Sequence, residues 1–257
     1  MTRTAPQISI VIPARDEVIA IGPLVTEIGQ VMAGESFEVI VIDDGSTDGT
    51  GAALADLAAQ FDWLRGLRND RAVGQSASIR AGVRAAQGAL IVTLDGDGQN
   101  PPDQIPALLA PLRAPGSAAL GLVQGQRVGR RDTLARRWAS QAANAIRGAL
   151  LHDGVRDSGC GLKAFRRAAY FDLPWFDHIH RFMPAMMLRE GWGVATVPVT
   201  HRARSGGASK YSNLRRALVG IPDLLGAAWL IRRAARVPSP SVMPEAAEAP
   251  HTPQKGA

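Results

Sequence analysis

Short apolar runs recur along the first half of the chain, each ending in a cluster of turn-forming or charged residues. Ile8 to Ile12 is the first, stopped by Pro13. Val39 to Ile42 is the second, running into Asp43-Asp44-Gly45-Ser46-Thr47-Asp48-Gly49-Thr50. Leu90 to Leu94 and Ala119 to Gln124 follow. Runs this short and β-branched read as buried strands. Between them the apolar spacing changes to the helical period. Leu24, Val25, Ile28 and Val31 predict a helix over Pro23 to Met32. Others are predicted at Ala52 to Phe61, where the Asx and Ser/Thr cluster supplies a cap, at Gln75 to Ala86, closed by Gly88, and at Ile105 to Leu112, after Pro101-Pro102. Strands alternating with helices predict an α/β fold: a Rossmann-like, doubly wound, mostly parallel sheet.

The second half is less regular. Thr133 to Leu151 reads as a long helix and Val194 to Val199 as a strand before a loop, His201 to Ser212. Leu214 to Arg236 reads as an amphipathic helix. The expected division is therefore a catalytic domain over 1–212, an amphipathic helix over 213–236 and a disordered tail over 237–257. The tail has five prolines and almost no large apolar side chains.

Composition narrows the choice of class. The 257 residues suffice for a substantial core, and the apolar (46%) and charged (20%) fractions are globular. Cys160 is the one cysteine, which excludes an internal disulfide and a zinc-type cysteine cluster. No secretory h-region and no stretch of about eighteen apolar residues is present, so a cytoplasmic chain touching a membrane surface is expected. The net charge of +6 is unevenly spread. Arg127, Arg130, Arg131, Arg136 and Arg137 form one basic stretch, and Arg202, Arg204, Lys210, Arg215 and Arg216 another. These ask for an anionic partner. Nucleic acid is disfavoured, because few aromatics accompany the arginines and no nucleic-acid-binding signature occurs.

The sharpest chemical signal is Asp95-Gly96-Asp97-Gly98-Gln99, directly after an apolar strand. Open α/β sheets bind ligands at this end of a strand. Alternate positions of an extended segment point the same way, so Asp95, Asp97 and Gln99 converge. Hard oxygen ligands with room for water and phosphate suit Mg2+ or Mn2+ bridging to a nucleotide diphosphate. His178 and His180 invite a second metal reading, but structural or acceptor-side roles fit them better.

Further segments stand in a telling order: Val11-Ile12-Pro13-Ala14-Arg15-Asp16-Glu17, Ile42 to Thr50, Asp95 to Pro102, Gly125-Gln126-Arg127, Gly159 to Arg167, and Arg204-Ser205-Gly206-Gly207-Ala208-Ser209-Lys210-Tyr211. Over roughly residues 8 to 216 this set resembles the polyprenyl-phosphate glycosyltransferases of glycosyltransferase family 2, the dolichyl-phosphate mannose synthase type. The resemblance implies a GT-A fold and a nucleotide-sugar site. Pro13, Arg15, Glu17, Ile42 and Asp44 would hold base and ribose, and Asp95, Gly96 and Asp97 the metal–diphosphate with Gln99. Arg127, Arg204 and Lys210 would meet the diphosphate or acceptor phosphate. Arg15-Asp16 departs from the family's commoner Tyr-Asn, which leaves the base undetermined. Arg136 and Ser140, at i and i+4 of one helix, would hold a polyprenyl phosphate, with Asn144 one turn on.

A phosphate monoester is largely anionic at neutral pH, so such an acceptor needs no general base. The reaction implied is direct displacement at the anomeric carbon with inversion, at the inner face of the cytoplasmic membrane. The apolar stretch Leu218 to Ile231, interrupted by Pro222 and Asp223, suits a helix in the membrane interface. It also suits a helix packed on the catalytic domain. The competing reading is a hydroxyl acceptor, which would need a carboxylate base such as Asp157. A nucleotidyltransferase lacks its glycine-rich lysine loop here, and a binding module would not need so complete a metal site.

Overall fold

The computed structural model describes residues 5–128, 146–203 and 213–234, excepting the side chains of 213–219. The predicted strands form with ends shifted by a few residues: β1 (Ile8–Ala14), β2 (Phe37–Asp43), β4 (Leu90–Thr93), β5 (Leu120–Arg127) and β7 (Gly193–Val199). Two strands were not predicted, β3 (Leu64–Arg68) and β6 (Lys163–Arg166). The helices are α1 (Val18–Val31), α2 (Thr50–Gln60), α3 (Gln75–Ala85), α4 (Ile105–Arg113), α5 (Arg167–Asp172), α6 (Met183–Arg189) and α7 (Asn213–Arg232), with a further helical segment over 146–151. The rest of the expected long helix, most of the loop after His201 and the expected tail lie outside the described residues.

Seven strands make one sheet in the order β3-β2-β1-β4-β6-β5-β7, all parallel except β6. Alternation along the strands divides the core between the two faces. Ile8, Ile10, Ile12, Val39, Val41, Val92 and Leu94 point into one cluster with α1, α2 and α4. Val11, Ile40, Ile42 and Ile91 point into the other, under α3, α5, α6 and α7. Fully burying each such aliphatic chain stabilises by about 1.5–3 kcal/mol, which fixes the register, since a one-residue slip would expose every one.

Parallel strands bring their C-terminal residues to one edge of the sheet. The antiparallel β6 brings its first residue, Lys163, to that same edge, opposite Thr93 of β4. Residues 13–17, 44, 95–99, 127, 163 and 200–202 therefore gather there, although they span most of the sequence.

Candidate active site

The β1–α1 and β2–α2 loops clasp each other. The Asp16 amide donates to Ser46 Oγ (2.9 Å), the Thr47 amide to Asp16 Oδ1 (2.8 Å), and the Glu17 amide to Thr50 Oγ1 (2.9 Å). Asp16 has φ +53°, a left-handed conformation that Asn and Asp tolerate best. The Arg15-Asp16 departure thus keeps a residue suited to this turn and leaves Arg15 exposed at the rim. The N-cap position of α2 is Gly49, and Asp48 just before it satisfies the first helical amide: its Oδ1 accepts from the Thr50 amide (3.0 Å) and hydroxyl (2.6 Å).

Asp44, expected on the nucleotide, is buried and holds the loop before α3. Its Oδ1 accepts from Val73 N (2.9 Å) and Asn69 Nδ2 (2.8 Å), and its Oδ2 from Gly74 N (2.9 Å). Burial raises its carboxyl, but the Val73 and Gly74 amides with Asn69 and Ser78 outweigh it and hold the group below the ordinary value. Ile42 is fully buried, its Cδ1 lying where a side chain at Gly82 would start. The Ile42 side chain therefore packs the core under α3. Pro13 and Gly96 lie in contact across β1 and the β4 exit: a Cβ on Gly96 would come within 3.0 Å of the Pro13 carbonyl.

Asp95 has a different setting. Its Oδ1 accepts from Gln75 Nε2 (2.8 Å) and its Oδ2 from Asn100 Nδ2 (3.2 Å). A Cβ on residue 161 would fall 2.2 Å from Oδ2, so only Gly161 lets the chain pass beneath the carboxylate. Burial and the neighbouring Asp97 push Asp95 above the usual carboxylate range, and the Lys163 ammonium, Asn100 and Arg127 offset this only in part. Asp97 Oδ1 accepts from the Gln99 amide at 3.1 Å. The Gln99 side-chain amide nitrogen lies 3.5 Å from the Arg202 carbonyl.

Lys163 is buried, donates to the Cys160 carbonyl, and is pushed below its ordinary value by burial, with Cys160, Asp95 and Asp157 opposing. Arg127, the last residue of β5, grips Asp157 with both arms of its fork, Nε to Oδ2 (2.6 Å) and Nη2 to Oδ1 (2.8 Å). That hydrogen bonding, against desolvation, raises the guanidinium further. Sequence reasoning gave no role to Gln75, Asn100 or Lys163. The Gly159 to Arg167 segment carried the signal for Lys163, a lysine set in an apolar strand start.

His178 and His180 do not face a common ion. His180 Nδ1 pairs with Ser76 Oγ (2.6 Å), His178 Nδ1 with Asp223 Oδ2 of α7 (2.8 Å), and the rings stand 6.4 Å apart. Burial, with Lys163, Arg181 and His178 nearby, holds His180 well below its ordinary value and so neutral. Along α7, Ala227 and Ala228 are buried in the second cluster, whereas Ile221 (57% exposed), Leu225 (60%) and Trp229 (58%) form an open apolar stripe at four-residue spacing. Among the described residues no helix is long and apolar enough to cross a membrane. Arg204, Lys210, Arg136, Ser140 and Asn144 lie outside the described residues.

Among the described residues no three His, Cys, Asp or Glu side chains could cage a metal ion. Asp95 and Asp97 instead crowd two like charges at an open edge, a donor set that fits a divalent cation sharing its shell with diphosphate and water. The fold is that of the GT-A glycosyltransferases. Glucosyl-3-phosphoglycerate synthase from Mycobacterium tuberculosis, solved with Mn2+, UDP and phosphoglyceric acid, superposes with a TM-score of 0.67 at 20% identity, over 90% of this chain and 80% of that one. A mannosyltransferase from Pyrobaculum calidifontis, solved with GDP-Man and Mn2+, gives 0.64 at 18%, over 91% and 66%. The chain belongs to glycosyltransferase family 2, whose family model matches residues 9–173.

Two curated relatives are more specific. Dodecaprenyl-phosphate galacturonate synthase of Rhizobium johnstonii is 35% identical over 242 residues, 90% of this chain and 69% of the relative. Undecaprenyl-phosphate 4-deoxy-4-formamido-L-arabinose transferase of Pseudomonas aeruginosa is 32% identical over 212 residues, 81% of this chain. The chain spans 61% of that second relative's length.

Proposed function

We propose that this glycosyltransferase moves a sugar from a nucleoside-diphosphate sugar to a polyprenyl phosphate, with inversion, using Mg2+ or Mn2+ at the cytoplasmic face of a membrane. The observation that carries the reading is the crowded, half-buried Asp95–Asp97 pair at the sheet edge, with Asp95 packed over Gly161. Asp95, Asp97 and Gln99 would hold a divalent cation there, which would supply positive charge for the leaving diphosphate. Pro13, Arg15, Glu17 and Asp44 line the nucleotide side, with Asp44 acting through the loop it holds. Arg127, Arg204 and Lys210 supply the remaining positive charge, and Arg136 and Ser140 hold the acceptor phosphate.

The acceptor choice has its own support. Asp157, the best base for a hydroxyl acceptor, has both carboxylate oxygens in the Arg127 fork. A lipid phosphate already ionised at neutral pH needs no base. The Ile221/Leu225/Trp229 stripe, with Arg233 stacked 5.5 Å from the Trp229 ring, suits a helix seated at an anionic membrane surface. The two curated relatives carry polyprenyl phosphates in their names.

The test is to incubate the protein with radiolabelled UDP- and GDP-sugars and a polyprenyl phosphate in detergent, with and without EDTA. Label should pass into the organic phase only when divalent metal is present. Arg136→Ala should raise the lipid phosphate KM or lower kcat. Transfer confined to a hydroxyl acceptor, or label moving at full rate in excess EDTA, would overturn the reading.

A further inference from the structure

We infer that Arg202 is a positioning residue for the metal-binding loop, a clamp from the β7 exit that sets how Asp97 and Gln99 are presented. Arg202 meets this loop through three groups and α1 through a fourth. Its amide donates to the Gln99 carbonyl (3.0 Å), and its carbonyl lies 3.5 Å from Gln99 Nε2. Its Nε donates to the Gly98 carbonyl (3.0 Å), and its Nη2 reaches Glu27 Oε2 on α1 (2.6 Å). Just upstream, the Thr200 amide donates to Gln104 Oε1 (2.8 Å), so the β7 exit is also fastened to the turn before α4.

Gly98, between the two ligands, turns the chain with φ +73°. A left-handed glycine turn has little conformational preference of its own, so something must hold it. Arg202 does so by fixing the carbonyl on its C-terminal side. Glu27 takes the other arm of the guanidinium and keeps it from swinging into solvent. A lysine, a flexible point charge without the rigid fork, would hold the two partners in a less fixed geometry. Hydrogen-bond partners one step out from a metal orient its ligands, and losing one costs about 10- to 100-fold in metal affinity or activity.

The inference rests on the proposed metal site, and the test separates the two. Mn2+ binding to the full chain is titrated by the EPR signal of free Mn2+, with UDP and with GDP in separate series. Wild type should bind. Arg202→Ala should bind about tenfold more weakly, with kcat at saturating Mn2+ within about threefold of wild type. Glu27→Gln, which loses only an exposed ion pair, should weaken Mn2+ by about two- to threefold. Arg202→Lys should fall between wild type and Arg202→Ala. Should Arg202→Ala fail to fold, the Glu27→Gln and Arg202→Lys series decides. Wild type that takes up no Mn2+ would sink the metal site itself. Wild type that binds, with Mn2+ affinity unmoved by these variants, would overturn the role of Arg202 alone.

Discussion

The ends of β2 and β4 each present an aspartate at the same sheet edge, Asp44 buried and Asp95 half-buried, and the two live in opposite states. Asp44 accepts from two backbone amides and Asn69, so its charge is satisfied by the protein. Asp95 receives two side-chain amides, but it sits beside Asp97 and is pushed toward protonation. Identical chemistry at equivalent strand ends is thus divided between architecture and ligand. The carboxylate whose charge is met within the protein builds a loop. The carboxylate whose charge is not met is where a cation belongs.

The largest effect that would sharpen this contrast is on catalysis. Asp97→Asn, or chelation of wild type, should cut transfer on the order of a hundredfold or more, as loss of a principal charge-stabilising group does, while the circular dichroism spectrum stays native. Retention of full activity in either case would erase the distinction between the strand ends. On the acceptor side, Asp157→Asn should leave turnover within about tenfold, because no base is required. A dead Asp157→Asn enzyme, with Arg136→Ala unaffected, would favour a hydroxyl acceptor.

Smaller effects should appear in stability. Asp44→Asn strands the Val73 or Gly74 amide, and an unsatisfied buried donor costs about 1–3 kcal/mol. Denaturant unfolding at pH 7 should show that loss. The two carboxyls also predict opposite pH responses. Asp44 is lowered, so its contribution is present above its unfolded value of 3.8 and is lost as pH falls through its folded value. Asp95 is raised, so its relative contribution is present below 3.8 and is lost as pH rises through its folded value. Any stability advantage of Asp95→Asn at pH 7 should therefore close on acidification through that raised range. A gap that widens would contradict the assignment.

Much of this was legible in the sequence where the signal is local. Short continuous apolar runs marked β1, β2, β4, β5 and β7, and their turn clusters marked the active edge. β3 escaped because Leu64-Arg65-Gly66-Leu67-Arg68 has the charges of an edge strand rather than an apolar run. β6 escaped because four residues carry no period, and with it went Lys163, whose approach to Asp95 depends on an antiparallel pairing across about seventy positions. Gln75 and Asn100 were hidden for the same reason: polar side chains at a helix start and in a turn show their target only once the sheet is assembled. Ile42 illustrates the converse. The family resemblance implied a nucleotide contact at this position, and strand alternation turns its side chain into the core.

The most direct test of the central claim, that the β4 end carries a crowded negative charge awaiting a metal–diphosphate, is thermal unfolding of wild type and Asp95→Asn. Each is melted alone and with Mn2+ plus UDP or GDP. Without ligand, Asp95→Asn should melt at or above wild type, because a neutral amide removes the repulsion with Asp97. With ligand, the wild-type midpoint should rise, since whatever binds only the native state stabilises it by mass action, and that of Asp95→Asn should stay put. An Asp95→Asn protein that melts below wild type on its own, yet still rises fully with Mn2+ and nucleotide, would contradict the claim.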